Sequence, residues 1–279
     1  MKVGLVTGSN GQLGYDVIKR LDQNNIEYLG TDRKILDITN KEEVRRVIKD
    51  YNPNIVIHCA AYTAVDKAED ERELFYTVNV LGTRNVAGVC KEIDAKMIYI
   101  STYYVFDGEG NEPFEVTDKP NPINYYGQTK YEGEIEVQRL LNKFFIVRIS
   151  WVFGINGNNF VKTMLRLGKE RDEISVVADQ IGSPTYTYDF AKLLVERIET
   201  DKYGIYHATN DGYCSWYEFA FEIFKQAGMD FQVNPINTED YPTRAKRPKN
   251  SRMNQQIKQL GFIMPKWESA LHDFINRYS

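Results

Sequence analysis

Cysteine and histidine are scarce in this chain, three of each in 279 residues. Cys59, Cys90 and Cys214 are widely spaced and form no C-x-x-C pair, which excludes a disulfide framework and a zinc site and leaves buried small apolar residues as their reading. His58, His207 and His272 are equally scattered, so no metal cluster is expected, and nothing in the sequence indicates magnesium. No run of 18 or more apolar residues occurs, which excludes a membrane-crossing helix. Excess positive charge is missing too: the formal net charge of -4 argues against nonspecific nucleic-acid binding while leaving room for one locally basic pocket. Repeats, low-complexity tracts and flexible linkers are absent. What remains, 42% hydrophobic and 27% charged residues, is the composition of a soluble globular protein. The opening "MKVGLVTGSNGQLG" carries glycines inside its apolar run and no cleavage-site pattern, so a buried strand is expected there rather than a signal peptide, with the cytoplasm as compartment.

The first half alternates short β-rich runs with helical patterns: "KVGLVTG" then 12–23, "EYLGTD" then 41–49, "NIVIHCAAY" then 74–92, "KMIYIST" then 126–141, and "FFIVRIS". Runs such as 55–57 and 144–147 are apolar on consecutive residues, as strands covered on both faces require. This rhythm predicts an α/β fold with a doubly wound parallel sheet. After Ser150 it becomes irregular, with a helix at 160–167, a strand at 174–177, a helix at 188–198, the strand "GIYHAT" and the aromatic helix "SWYEFAFEIFKQAG". Ser215 and Glu218 form a capping box for that last helix, and from there the segments are short and rich in Pro and Asn. The expected organisation is a dinucleotide-binding Rossmann unit over 1–150, to which 178–210 returns, with a smaller region over 151–177 and 211–279 packed directly on it.

"VTGSNGQLG" sets Gly8, Gly11 and Gly14 three apart, between a strand and a helix. A phosphate-binding turn needs this because backbone must approach pyrophosphate more closely than any Cβ allows, while the helix N-terminus offers unpaired N–H groups and a positive dipole end. The spacing is G-x-x-G-x-x-G rather than G-x-G-x-x-G; glycines alone would mark only a turn, and the strand–turn–helix context makes it a dinucleotide site. At the end of the second strand stand Asp32 and Arg33. The acid suits the ribose hydroxyls of NAD and the arginine the 2′-phosphate of NADP, so NADH and NADPH both remain open, beside the plain alternative of a solvated turn.

"NYYGQTKYEGE" holds three tyrosines around Lys130. Positions four apart on a helix lie over one another, which selects Tyr126 over Tyr125 and Tyr131 as partner. A carbonyl accepting a hydride becomes an alkoxide and needs a proton donor, and a tyrosine at its usual pKa of about 10 is a poor one. An ammonium roughly 5 Å away, at an effective dielectric of about 20, would favour phenolate by about 3 kcal/mol. Tyr-x-x-x-Lys is common by chance. Here it opens the helix after the fourth strand, whose end supplies the hydroxyls of Ser101 and Thr102, and strand ends of a parallel sheet are where such crevices open.

On these motifs, together with "HCAAYTAVDKAE", "VNVLGTRNVA", "RISWVFG", "VVADQIGSPT" and "YPTRAKRPKNSRMN", the sequence resembles the extended short-chain dehydrogenase/reductases, and within them the dTDP-4-dehydrorhamnose reductases, nearly end to end. The resemblance implies NADPH- or NADH-dependent reduction of the C4 ketone of dTDP-4-dehydro-L-rhamnose to dTDP-L-rhamnose, a precursor of cell-surface polysaccharide. It implies catalytic roles for Thr102, Tyr126 and Lys130. Cofactor contacts would come from Gly8, Asn10, Gly11, Gln12, Leu13, Asp37, Ile38, Ala60, Ala61, Tyr62 and Ser101. Thr63, Val65, Tyr103, Tyr104, Trp151 and Asn159 would face the dTDP-sugar, held by the region over 151–177 and 211–279. Trp151 would serve equally well as a core residue. Arg247, in "RPKNS", would clamp the sugar-nucleotide pyrophosphate, whereas its basic neighbours read as a solvated run. Tyr103 stands where the family usually has Asp, and His58 where Asn is commoner. The same fold also carries other sugar-nucleotide reductases and epimerases, and one noncatalytic regulatory subunit resembles this family. Dehydratases are disfavoured because Tyr103 and Tyr104, rather than Asp-Glu, follow the threonine. A homodimer is compatible with the sequence; neither a nucleic-acid nor a membrane partner is expected.

Overall fold

The computed structural model describes residues 3–197 and 200–278. Its centre is a six-stranded sheet built from β1 (Val3–Thr7), β2 (Glu27–Thr31), β3 (Ile55–His58), β4 (Lys96–Thr102), β5 (Phe144–Ile149) and β10 (Gly204–His207). The strands lie in the order β10-β5-β4-β3-β1-β2, and every pairing is parallel. Consecutive apolar residues go to opposite faces. Leu5, Val56, Met97, Tyr99 and Ile146 pack with residues of α2 (Lys41–Tyr51), α4 (Thr83–Glu92) and α5 (Tyr125–Leu140). Val6, Ile57, Ile98, Phe145 and Val147 pack on the other side with α1 (Gln12–Gln23) and α7 (Thr187–Arg197). Both faces are therefore covered, which is why the alternating polar pattern of a half-exposed strand is missing. The chain leaves β1 outward to β2, then crosses back to β3, so the winding reverses beside β1 and opens a crevice at the carboxyl ends of those strands.

Beyond the sheet and the helices that cover it lie α6 (Phe160–Glu170), α8 (Trp216–Gln226), α9 (Trp267–Tyr278) and short strands, among other elements. Among the strands, β7 (Glu173–Val177) pairs with β12 (Gln232–Ile236), and β6 (Val152–Phe153) with β9 (Thr185–Tyr186). In a third ladder β8 (Ile181–Gly182) lies between β11 (Cys214–Ser215) and β13 (Asn250–Ser251). An aromatic core that includes Phe153, Tyr186, Phe219, Trp267 and Phe274 holds these pieces together.

Two elements differ from the sequence expectation. The helix expected over 74–92 is α3 (Arg72–Tyr76), a π-helical stretch at Thr77–Gly82, then α4. Within that stretch the Asn79 side chain accepts from Tyr62 N and donates to Tyr62 O and Thr129 Oγ1, ties across the fold that a periodicity pattern does not reveal. The chain end, expected to consist of short segments, closes with α9, which buries Trp267, Ala270, Leu271, Phe274 and Ile275 on one face. The end expected for α7, Ile198, lies outside the described residues. The capping box of α8 forms as expected: Glu218 N donates to Ser215 Oγ at 3.0 Å, and Ser215 N to Glu218 Oε2 at 2.7 Å.

Candidate active site

The glycine turn is dictated by contact. Gly8 has φ +67, and a Cβ there would meet Ala60 N at 2.8 Å; a Cβ on Gly14 would meet Gly8 O at 2.2 Å. Gly11 is the N-cap of α1 and supplies no capping side chain, so the helix presents its first N–H groups to the crevice. A turn without side chains, at an uncapped helix N-terminus, fits a pyrophosphate.

Two adjoining cavities run from this turn. The first, about 500 Å³, is lined by Gly8, Asn10, Gly11, Asp32, Arg33, Leu36, Asp37, Ile38, Ala60, Ala61, Tyr62, Leu74 and Val78 among others. Its apolar walls suit a flat base, and its polar rim is already organised. Asp32 accepts from Asn10 Nδ2 at 2.7 Å and from the backbone N–H groups of Lys34 and Ile35. Asp37 accepts from Thr39 N and Oγ1, and although burial works the other way, these bonds and Arg33 hold its carboxyl below the ordinary value. Arg33 is exposed and only 4.0 Å from Asp37, loosely enough held to turn toward a phosphate.

The second cavity, about 390 Å³, shares Gly11, Cys59 and Ala61 with the first and adds Gln12, Leu13, Thr63, Val65, Ser101, Thr102, Tyr103, Tyr104, Tyr126, Lys130, Trp151 and Trp216. Thr102, at the end of β4, and Tyr126 and Lys130, on the first turns of α5, thus meet on one wall. Asn124 caps α5 by accepting from Gly127 N at 2.8 Å. Tyr126 is buried, with Tyr104 and Phe75 edge-on to its ring at 5.4 and 6.5 Å. Burial pushes its hydroxyl above the ordinary phenol value, Tyr104 adds to this, and a hydrogen bond with Thr102 opposes it. The cation expected to prime this phenol lies over another ring: Lys130 Nζ is 4.1 Å from the centroid of Tyr99. Burial lowers its own pKa from 10.5 to about 7, against the pull of Glu134. Desolvation therefore outweighs the Coulomb attraction that the helical spacing suggested.

On the sugar side, Tyr103 and Tyr104 are buried with ring centroids 4.3 Å apart. Trp151 has φ 47, a left-handed conformation that costs an L-residue roughly 1–2 kcal/mol, and it stacks on Trp216 with centroids 3.7 Å apart. Trp216, at the start of α8, is a cavity residue that the sequence reading missed; its signal is that this chain has three tryptophans and two of them meet here. Asn159 and Arg247 line neither cavity. Asn159 caps α6 and donates to Gln12 Oε1 at 2.7 Å and Gly154 O at 2.8 Å. Arg247 pairs with Asp66 at 2.7 Å and lies near the uncharged phenols of Tyr103 and Tyr104. His58 sits beneath the site between Thr7 Oγ1 at 2.7 Å and Thr83 Oγ1 at 3.3 Å, and burial pushes its pKa down to about 3. A shallower groove of about 630 Å³ between α8 and α9 shares no lining residue with either cavity.

The family described as RmlD substrate binding domain matches residues 1–279. The dTDP-4-dehydrorhamnose reductase of Aggregatibacter actinomycetemcomitans is 46% identical over 282 residues, covering 96% of each chain. This chain belongs to the dTDP-4-dehydrorhamnose reductase family. The Escherichia coli K12 member is 37% identical over 98% of this chain and 96% of its own length. The crystal structure of the Bacillus anthracis family member in complex with NADP superimposes with a TM-score of 0.96 at 49% identity, covering 99% of this chain and 100% of that one. A Thermus thermophilus UDP-glucose 4-epimerase, 20% identical with a TM-score of 0.84, shares the fold alone. The doubly wound α/β architecture read from the sequence is thus the family's architecture.

Proposed function

We propose that this chain reduces the C4 ketone of dTDP-4-dehydro-L-rhamnose to dTDP-L-rhamnose, with NADPH or NADH as reductant. The observation that carries this reading is the convergence of Thr102, Tyr126 and Lys130 on a cavity continuous with the glycine-turn crevice. When bound, the nicotinamide nucleotide supplies the hydride. Tyr126 gives its proton to the C4 oxygen as that oxygen gains negative charge, and the hydrogen bond from Thr102 stabilises the phenolate left behind. Lys130, as an ammonium, would hold the nicotinamide ribose. Gly8, Asn10, Gly11, Gln12, Leu13 and Ser101 would hold the phosphates and ribose, and Asp32, Arg33, Asp37, Ile38, Ala60, Ala61 and Tyr62 the adenosine. Thr63, Val65, Tyr103, Tyr104 and Trp151 take the deoxysugar; Asn159 and Arg247, which line neither cavity, would have to leave their present partners to reach it, Arg247 toward the pyrophosphate.

Residues 1–150 with 178–210 would carry the cofactor, and 151–177 with 211–279 the sugar nucleotide. No helix among the described residues is long and apolar enough to cross a membrane, and the cytoplasm, where nucleotide sugars and reduced nicotinamide are made, is the compartment this chemistry requires. The test is cofactor oxidation, followed at the nicotinamide absorbance, with enzymatically generated dTDP-4-keto-6-deoxy sugar. Substrate-dependent oxidation with dTDP-L-rhamnose as product is expected. No substrate-dependent signal would overturn the reading and favour a noncatalytic binding role.

A further inference from the structure

Glu134 stands one helical turn beyond Lys130 on α5 and lines neither cavity. Its side chain is fully buried, and the Arg148 guanidinium that grips it is 2% exposed. The grip is bidentate, 2.9 Å from Nε to Oε1 and 2.7 Å from Nη2 to Oε2. Phe106 and His207 back the guanidinium, at 5.0 Å and 3.5 Å. Stability alone does not call for such a pair, because hydrophobic residues of the same volume serve the core as well or better. A pair of charges can do two things that hydrophobic residues cannot: direct a proton and impose a field.

Both are visible here. Ser101 Oγ donates its only proton to Glu134 Oε1 at 2.5 Å, so the oxygen that Ser101 offers the cavity is a lone-pair acceptor. Lys130 has Tyr126 one turn before it on its own helix and is faced by Tyr99 on β4 and by His58 and Cys59 at the end of β3. Each of these is uncharged at neutral pH, since burial moves His58 to about 3, Cys59 to about 12, and both phenols upward. Glu134 is the anion that opposes the loss of charge on Lys130.

We propose that Glu134, locked by Arg148, is a positioning residue: it turns the Ser101 hydroxyl inward and keeps Lys130 cationic for the nicotinamide nucleotide. This rests on the reading that Lys130 holds that cofactor, so the primary readout leaves out the sugar. NADPH affinity is measured by nicotinamide fluorescence from about pH 6 to about pH 9, a span set around the lysine's lowered pKa. In the unaltered protein the ammonium is present on the acid side, and affinity falls as pH rises through about 7. Glu134→Gln moves that limb to lower pH by about one unit or more and weakens NADPH about fivefold at neutral pH, approaching tenfold on the alkaline side, one unit being a factor of ten there. The alkaline limb of turnover moves the same way, while KM for the dTDP-sugar stays within about twofold, because Glu134 does not touch that cavity.

Glutamine strands Arg148 as a buried unpaired cation, so Glu134→Met/Arg148→Met, which removes both charges, is the companion variant. An acidward shift is expected in it too, smaller than in Glu134→Gln because the stranded cation is gone as well. A folded variant with both limbs unmoved and only its unfolding midpoint lowered would make Glu134 purely structural and overturn the proposal. If the unaltered protein shows the NADPH limb but never reduces the dTDP-sugar, the substrate reading falls while the shift in the variants still supports Glu134. If it binds no NADPH at all, both fall.

Discussion

At the scale of single residues, the site depends on a phenol kept protonated. Tyr126 is walled by Phe75 and Tyr104, and burial keeps its proton on, the state that the general acid proposed above requires. The four-residue spacing to Lys130 was legible in the sequence because helical geometry is local. The direction of the shift was not, because the walls that desolvate the pair come from α3, from the turn after β4 and from the Tyr99 ring. His58 illustrates the same limit: as sequence it is a lone histidine, and only its burial in the fold, with Lys130 nearby, makes it neutral, while the threonines on either side hold its ring. Tyr126→Phe tests the donor with little change in shape. Turnover is expected to fall by about a hundredfold to ten-thousandfold, the range of a general acid, while NADPH affinity stays within about twofold. Steady-state turnover and nicotinamide fluorescence on the same preparation separate the two effects, and near-normal turnover would take Tyr126 out of the chemistry.

At the scale of elements, the strands and the glycine turn were readable because each announces itself within a few residues. A consecutive apolar run must be covered twice, and a glycine against backbone has no substitute. Elements shaped by distant contacts were not: the π-helical stretch at Thr77–Gly82 follows the ties of Asn79, and Trp216 reaches the cavity only because α8 lays it on Trp151. Seating of α5 is the most sensitive of these placements. A Cβ on Gly127 would meet Tyr104 O at 2.1 Å, and backbone on the Thr102 side cannot yield as a flexible side chain would. Gly127→Ala is therefore expected to lift the start of α5, parting Tyr126 from Thr102. Overpacking of this kind costs about 1–3 kcal/mol, read as a lower denaturant midpoint. Turnover should fall by about tenfold or more, equivalent to about 1.4 kcal/mol at the transition state. A stability loss with unchanged turnover would mean that the helix moves as a unit with Thr102.

At the scale of the whole molecule, the chain closes its site by bringing its last third back over its first. The segment carrying Arg244 and Arg247 is tied to the 3-10 turn at Val65–Glu69 and the residue after it, through ion pairs of Arg244 with Asp70 and Arg247 with Asp66, and Ala245 N donates to Asp66 Oδ1 at 3.0 Å. Asn124, the cap of α5, donates to Lys246 O at 2.9 Å, so the same segment also touches the helix that carries Tyr126 and Lys130. Asp66 thus holds Arg247 in waiting, and a pyrophosphate, carrying more charge than one carboxylate, would compete for it. Hydrogen bonds to a charged group are worth about 1.5–3 kcal/mol, so Arg247→Ala should raise KM for the dTDP-sugar by about tenfold to a hundredfold. NADPH affinity should not change, because Arg247 borders neither the glycine turn nor the adenosine cavity. Steady-state kinetics with the sugar varied, beside a fluorescence titration of NADPH, reads both quantities. If KM holds while the denaturant midpoint drops, the arginine only fastens the segment, and recognition of the pyrophosphate falls to other donors at the mouth of the crevice.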